Sequence, residues 1–430
     1  MIRDHVFSIM FWGESFWLVL NPAIFFSIIW FCQLLGYFVF KHSFGPYATE
    51  TFFVIATGFI CFLLGCFVAT THFTQSIFRR VLPGIDLLAL PQKMNLKKIT
   101  ISFCLIYSLV GILLTTFLWR QISGLATEPL ETFSQIRGLI NADFDQHRLL
   151  YNYFRYYQFG IIAVVFLFCL GSELPKYLLG TLFCIGLISV ALTTSRLFLL
   201  FYILAIMGIL FSYRRINSNH ILVSFVGFLI AFFGLSILMK KGYENFDQPL
   251  ALLKWNFQVY MFSPLAAFNS YISSGLPHFD SPVILPNALK KVFNIFGGAF
   301  ELRTNLMPFV NVPVRTNVYT FFFPLHHDGG KTLVAIGCVL LGFFHQTLYL
   351  LATKSLRPIL VYLFAISLYP LGLSFFEDAY FSSPGFLLLQ ISPVIFLIAV
   401  NSGRLLKLLK RVTVWVLRSR FVHITIFQRL

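Results

Sequence analysis

The sequence predicts an all-α polytopic transmembrane helix bundle of about ten spans, and three observations predict it. Hydrophobic residues make up 58% of the chain and charged residues only 11%, with a mean hydropathy of +0.81, too apolar for a water-soluble domain to cover its own surface. The apolar runs are continuous, as over 161–170 and 221–239, where a membrane strand would alternate polar and apolar side chains. The 54 phenylalanines are a bulky aromatic load that suits helices packed in hydrocarbon.

Apolar stretches near the length of a bilayer crossing fall at 19–40, 51–70, 99–118, 157–170, 177–193, 196–212, 221–239, 331–352, 358–375 and 385–401. The fourth is short unless it begins within the aromatic run 151–157. An even count places both termini on one side. With both in the cytoplasm, the inner segments hold 18 basic against 4 acidic residues and the outer segments 14 against 12, net charges of +14 and +2 that recover the chain's +16. This is the asymmetry of the positive-inside rule, so the basic excess needs no nucleic-acid partner. Residues 1–403 read as one membrane-embedded domain. The tail 404–430, with seven basic residues among Leu, Val and Trp and no acid, reads as a basic amphipathic anchor on anionic lipid. The N-terminus lacks the pattern of a removable signal peptide, so the first span reads as a permanent anchor. All seven cysteines lie in apolar runs without a CxxC pair or a neighbouring His, as core filler and not as metal ligands.

Two outer loops are long, about 119–156 and 240–330. Within the second, Leu289, Val292, Phe293 and Phe296 share a helical face that excludes Lys290, Lys291 and Asn294, predicting a short helix at the membrane surface. The first loop sets Arg137, Arg148 and Arg155 among Tyr151, Tyr153, Tyr156 and Tyr157. Arg148 and Arg155 are two helical turns apart, an arrangement that fits a diphosphate with a sugar beside it and equally an interfacial tyrosine belt with snorkelling arginines. Thr193, Thr194, Ser195 and Arg196 form a tight connection between two spans; it places a cation rigidly, or simply caps a helix start.

The large loop ends on Arg315, Thr316, Asn317, Val318, Tyr319, Thr320, three phenylalanines, Pro324, Leu325, His326, His327, Asp328, Gly329 and Gly330, then enters a span. Hydroxyls, an amide, imidazoles and a carboxylate are concentrated there in an otherwise apolar chain. Asp328 or a histidine is placed to take the proton of an attacking sugar hydroxyl while Arg315 and its neighbours hold anionic oxygen; a turn with capping residues is the plainer reading. Adjacent His326 and His327 diverge and have no partners at metal spacing. Glu377 and Asp378 form an acidic pair in the last outer loop.

The stretch TNVYTFFFPLHHDGG, with the upstream TTSR turn and the large outer loop, resembles the Wzy-type O-antigen or oligosaccharide repeat-unit polymerases of Gram-negative bacteria. In that family the TNVYT-like motif is followed by an aromatic stretch and an Asp-Phe-Gly-like element; here Asp328 is followed by Gly329 and Gly330, without the aromatic. The resemblance implies a GT-C-like membrane glycosyltransferase of the bacterial inner membrane, facing the periplasm. It would take a glycan from undecaprenyl diphosphate and join it to the non-reducing end of another lipid-linked unit, without cofactor, nucleotide or metal. The implied partners are the lipid-linked donor and acceptor, a chain-length regulator and a flippase. On this reading Asp328, then His327, then Glu377 are the candidate general bases. Arg137, Arg148, Arg155, Arg196 and Arg315 hold diphosphate or sugar, and Thr316, Asn317, Tyr319, Thr320 and His326 line the glycan site. A lipid-linked oligosaccharide flippase and an O-antigen ligase are the alternatives.

Overall fold

The computed structural model describes residues 19–44, 46–73, 148–171, 175–192, 196–216, 218–238, 248–275, 279–302, 307–312, 314–381 and 384–401. The predicted span 99–118, Arg137 and the basic tail 404–430 lie outside them. The described chain is almost entirely helical: α1 Pro22–Phe44, α2 Thr49–Val68, α3 Arg148–Leu170, α4 Lys176–Leu192, α5 Arg196–Ser212, α6 Ser218–Leu238, α7 Pro249–Ser274, α8 Asn287–Ile295, α9 Phe322–Ser355, α10 Pro358–Leu373 and α11 Pro384–Asn401. A two-residue antiparallel pair, β1 Val310–Asn311 with β2 Arg315–Thr316, interrupts the helices.

Each predicted span that falls on described residues coincides with a helix. Pro22–Phe40, Thr49–Thr71 and Phe322–Ser355 are long and apolar enough to cross a membrane by themselves, and α4, α5 and α10 are shorter apolar helices. Their outward faces stay apolar, with Phe31, Phe53 and Ile60 more than half exposed, as suits contact with hydrocarbon. The helix of the short fourth span takes in the whole aromatic run and begins before it, α3 starting at Arg148. The large loop is more ordered than a connector. It holds the 26-residue α7 and the 9-residue α8, the latter at the place predicted for a surface helix. Leu289, Val292 and Phe293 on α8, and Phe296 just after it, are exposed. Lys290 turns inward, its Nζ donating to the Glu301 carbonyl at 3.1 Å.

Two cores meet in this bundle. One is built by α3, α5 and α10 around Phe201, Tyr202, Tyr362 and Phe364. The other is built by α1, α2, α7 and α9 around Phe26, Trp30, Phe62, Phe268 and Phe322. Phe25 and Phe375 pack against both. α2 and α9 approach backbone to backbone: a Cβ on Gly342 would overlap the Phe62 carbonyl oxygen, and one on Gly65 the Val339 carbonyl oxygen. Small residues at such a crossing let membrane helices gain dispersion contact where no hydrophobic force separates protein from lipid.

α9 is not one rod. Gly330 adopts φ +58° and ψ −153°, a backbone region essentially reserved for glycine, and beside it Gly329 leaves the helical region as well. The helix folds back there into a short arm, 322–328, and a long arm, 331–355. Leu325 consequently lies 2.7 Å from where a Cβ on Gly337 would stand, whereas twelve residues of continuous helix would separate them by about 18 Å. The hairpin tip lies beside the start of α2, where Lys331 Nζ meets Glu50 Oε1 at 2.7 Å. From this tip the short arm runs back into the bundle, so that Phe322 lies on Gly58, about 13 Å along α2 from Thr49.

Candidate functional site

Apart from Arg148 and Arg155 on α3, the described residues singled out by the sequence separate into two groups toward opposite ends of the short arm. At the tip, Asp328 and His327 form a latch. Asp328 Oδ1 accepts the Val283 N–H at 2.8 Å, and Oδ2 accepts the Ile284 N–H at 2.7 Å. His327 Nε2 accepts the Phe279 N–H at 3.1 Å, and its Nδ1 lies 2.7 Å from Asp328 Oδ1. An accepting Nε2 assigns the imidazole proton to Nδ1, which donates it to Asp328. Both side chains are under a tenth exposed. Three donors on two carboxylate oxygens, and both imidazole nitrogens engaged, tie the segment 279–284 to the hairpin tip. His326 stands beside them against the edges of Phe268 and Tyr271, with centroids 6.1 and 5.8 Å away.

The latch predicts a stability effect. Asp328→Ala would strip acceptors from two backbone N–H groups, about 1–3 kcal/mol for each left unsatisfied. The purified variant is expected to unfold several degrees lower and to be cut faster by protease between 275 and 302; an unchanged melting temperature and digestion pattern would refute the latch.

At the other end the arm emerges from the TNVYT segment, which the bundle draws inward. Arg315 is exposed on β2 with its guanidinium 4.5 Å from the centre of the Phe309 ring. From there burial deepens along the segment. Thr316 is buried, its Oγ1 accepting the Val318 N–H at 3.2 Å, and Asn317 is half-buried. Tyr319 donates its hydroxyl to the Pro308 carbonyl at 3.3 Å and packs its ring 4.7 Å from Phe323. Thr320 is fully buried, and its hydroxyl has no partner among the described residues. The Phe321 N–H then donates to the Ser374 carbonyl at 3.1 Å, and Trp30 Nε1 to Ser374 Oγ at 3.2 Å. The first bond ties the end of the motif to the loop that follows α10, and the second ties α1 to the same residue.

That loop carries Glu377. It is half-buried, and the loss of water, reinforced by the neighbouring Asp378, pushes its carboxyl up to about 7. Asp378 shapes the turn, its Oδ1 accepting the Tyr380 and Phe381 N–H groups, both at 2.9 Å. Tyr380 in turn meets His345 Nε2 at 2.8 Å. Phe376, next to Glu377, stacks on Tyr260 of α7 with ring centres 5.5 Å apart. On Tyr260 lies Arg196. This residue opens α5 and is only 5% exposed, its guanidinium carbon 4.9 Å from the Tyr260 ring centre and 5.1 Å from that of Phe232. Of the TTSR turn, the structure places the arginine inside the protein between two aromatic faces, and 193–195 lie outside the described residues.

Arg196, Tyr260, Phe376, Glu377 and the TNVYT segment, whose Val318 packs into the same core as Tyr260 and Phe376, thus gather where the two cores meet. Asp328 and His327 do not join them, because the short arm sets them about 10 Å away along its helix. Arg148 and Arg155 both lie on α3. The sequence reasoning missed Tyr260, Phe232 and Ser374. Nothing local marks them, since Tyr260 sits in an apolar stretch and becomes part of a site only when α7 packs beside α6 and the loop after α10.

No family model and no solved structure matches the chain. Among curated proteins it is similar to one named O-antigen polymerase from Shigella dysenteriae, with 30% identity over 210 residues, 47% of this chain and 52% of that protein. The chain therefore spans about half the length of that relative. The resemblance read from the TNVYT stretch and the TTSR turn is matched by this relative: the chain is similar to an O-antigen polymerase.

Proposed function

We propose that this protein polymerises undecaprenyl-diphosphate-linked O-antigen or related repeat units at the periplasmic face of the bacterial inner membrane, with both termini in the cytoplasm. The observation that carries this reading is a buried arginine packed on the aromatic stack of Tyr260 with Phe376, and a carboxyl held near neutrality on the residue that follows Phe376 in the chain. The similarity to a named O-antigen polymerase supports the substrate class. In the reaction a hydroxyl at the non-reducing end of the acceptor attacks the anomeric carbon of the growing glycan. The bond from that carbon to the diphosphate oxygen breaks, and the attacking hydroxyl loses its proton.

Glu377 is the base we assign. A carboxylate that titrates near the working pH can both accept and release the proton. Arg196 takes the charge that develops on the departing lipid diphosphate, a role in which a preorganised, water-shielded cation acts strongly. Thr316, Asn317, Tyr319 and Thr320 orient the glycan, and Arg315 with Arg137, Arg148 and Arg155 guides the diphosphate headgroup. Asp328 and His327 act one step removed, holding the hairpin that carries the motif. The donor brings its own activated leaving group, so the reading requires no nucleotide and no metal. A chain-length regulator and a flippase are the partners it calls for.

The test is genetic and visible on a gel. A strain lacking its own gene for this protein should carry lipopolysaccharide capped with a single repeat unit, and the intact chain should restore the ladder. If the deletion strain instead shows bare core with repeat units accumulating on the periplasmic lipid carrier, the protein is a ligase; accumulation on the cytoplasmic side makes it a flippase.

A further inference from the structure

The candidate site leaves unexplained a groove farther along α5. A cavity of about 670 Å³ is walled by α4, α5 and α6, within the size range of small-molecule sites. Its walls are apolar, among them Phe183, Leu187, Ile203, Met207 and Val223. From Lys176 to Leu187 it runs eleven residues along α4, about 16 Å, close to half of a ~30 Å hydrocarbon core. Gly180 and Gly227 line it, and a Cβ on either would meet nothing within 4 Å, so neighbouring side chains do not fill it.

Charge is confined to one end. Lys176 begins α4, His220 stands in the first turn of α6, and Arg215 lies just beyond α5. Arg215 is held there by a left-handed helix cap: Arg214 adopts φ +55°, and the Arg215 N–H reaches back to the Leu210 carbonyl at 2.8 Å. No acidic residue is among the described lining. The N-termini of α4 and α6 open at the same end and add their partial positive charge, offset in part by the C-terminus of α5. The opposite end, at Leu199 and Ala231, is apolar.

We propose that this groove is a binding site for one anionic phospholipid of the bilayer, its phosphate held by Lys176, Arg215 and His220 and its acyl chains laid along α4, α5 and α6. Charge at one end and an apolar trough of about one-leaflet depth are complementary to that shape; a zwitterionic lipid would bring its own cation against the arginine and lysine. Such a lipid would brace α5, the helix that carries Arg196 at its far end.

Native mass spectrometry of the full chain tests this, with palmitoyl-oleoyl phosphatidylglycerol and the phosphatidylcholine of the same acyl chains as probes. One phosphatidylglycerol should be retained roughly tenfold or more over phosphatidylcholine. Lys176→Gln combined with Arg215→Gln should abolish that preference, and Gly227→Phe, which projects a ring into open groove, should remove the bound lipid altogether. Gly180→Leu serves as a second filling variant, and unchanged melting temperatures identify the variants that fold. Equal retention of the two lipids by the wild type overturns the proposal, as does a preference that survives both the charge and the filling variants. Retention of a polyprenyl diphosphate with no anionic phospholipid bound assigns the groove to a different occupant and overturns it too.

Discussion

Arg196→Ala is expected to collapse the polysaccharide ladder to the single-unit band, with turnover falling about 10²–10³-fold, the usual consequence of removing one preorganised group from a developing negative charge. Arg196 is not an exposed surface side chain, which would exchange freely with solvent. It lies between Phe232 and Tyr260 at 5% exposure, so its charge is already stripped of water before substrate arrives. In such surroundings an anion gains more from the cation than it would in solvent. Arg196→Lys keeps the charge but loses the planar stacking and the forked donors, and should recover only part of the ladder. Immunoblotting of membranes separates a catalytic loss from a folding loss. A full ladder from Arg196→Ala at normal abundance would remove Arg196 from the reaction.

Glu377→Gln should cost about 10²–10⁴-fold, the span of general-base contributions, and it makes a second prediction through pH. Because burial and Asp378 raise the Glu377 carboxyl to about 7, the base is mostly protonated below that value, and wild-type turnover should rise as pH is increased through about 7. The same shift acts on stability with the opposite sense. The folded protein holds the proton more tightly than the unfolded chain, so the contribution of Glu377 is most favourable below the ordinary carboxylate range and is lost as pH rises toward about 7. Glu377→Gln carries no such charge. Its melting temperature should match the wild type in acid and exceed it above neutrality, the gap opening between these limits. Equal melting curves at all pH values, or a pH-independent wild-type rate, would sink the assignment of Glu377 as base.

Much of the architecture was legible because hydrophobic length is a local property. Runs such as 196–212 and 358–373 must bury or shield every backbone N–H and C=O in hydrocarbon, and the helix does so within its own segment. The surface helix at Asn287–Ile295 was legible for the same reason: its apolar face repeats at helical spacing. The site was legible only as a parts inventory. Arg196, the TNVYT segment and Glu377 are scattered over nearly two hundred residues, yet they meet at the junction of two cores because α5 and α10 run antiparallel, Gly372 against Leu204 and Gly208 against Ala365.

The division of roles within HHDGG lay beyond any local reading. A histidine and an aspartate beside a run of hydroxyls look like an acid–base set, and the residues that occupy their lone pairs, Phe279, Val283 and Ile284, are more than forty positions upstream. The sequence by itself determined that the chain is helical and apolar enough for membrane, where its polar residues are concentrated, and which family it resembles, since each follows from composition or contiguous pattern. Only the tertiary structure decided that Gly329 and Gly330 fold α9 back on itself, that Asp328 serves the hairpin, and that Arg196 and Phe376, the neighbour of Glu377 in the chain, both pack on Tyr260. Those depend on which distant segments desolvate one another, and desolvation is a property of the packed chain and of no stretch within it.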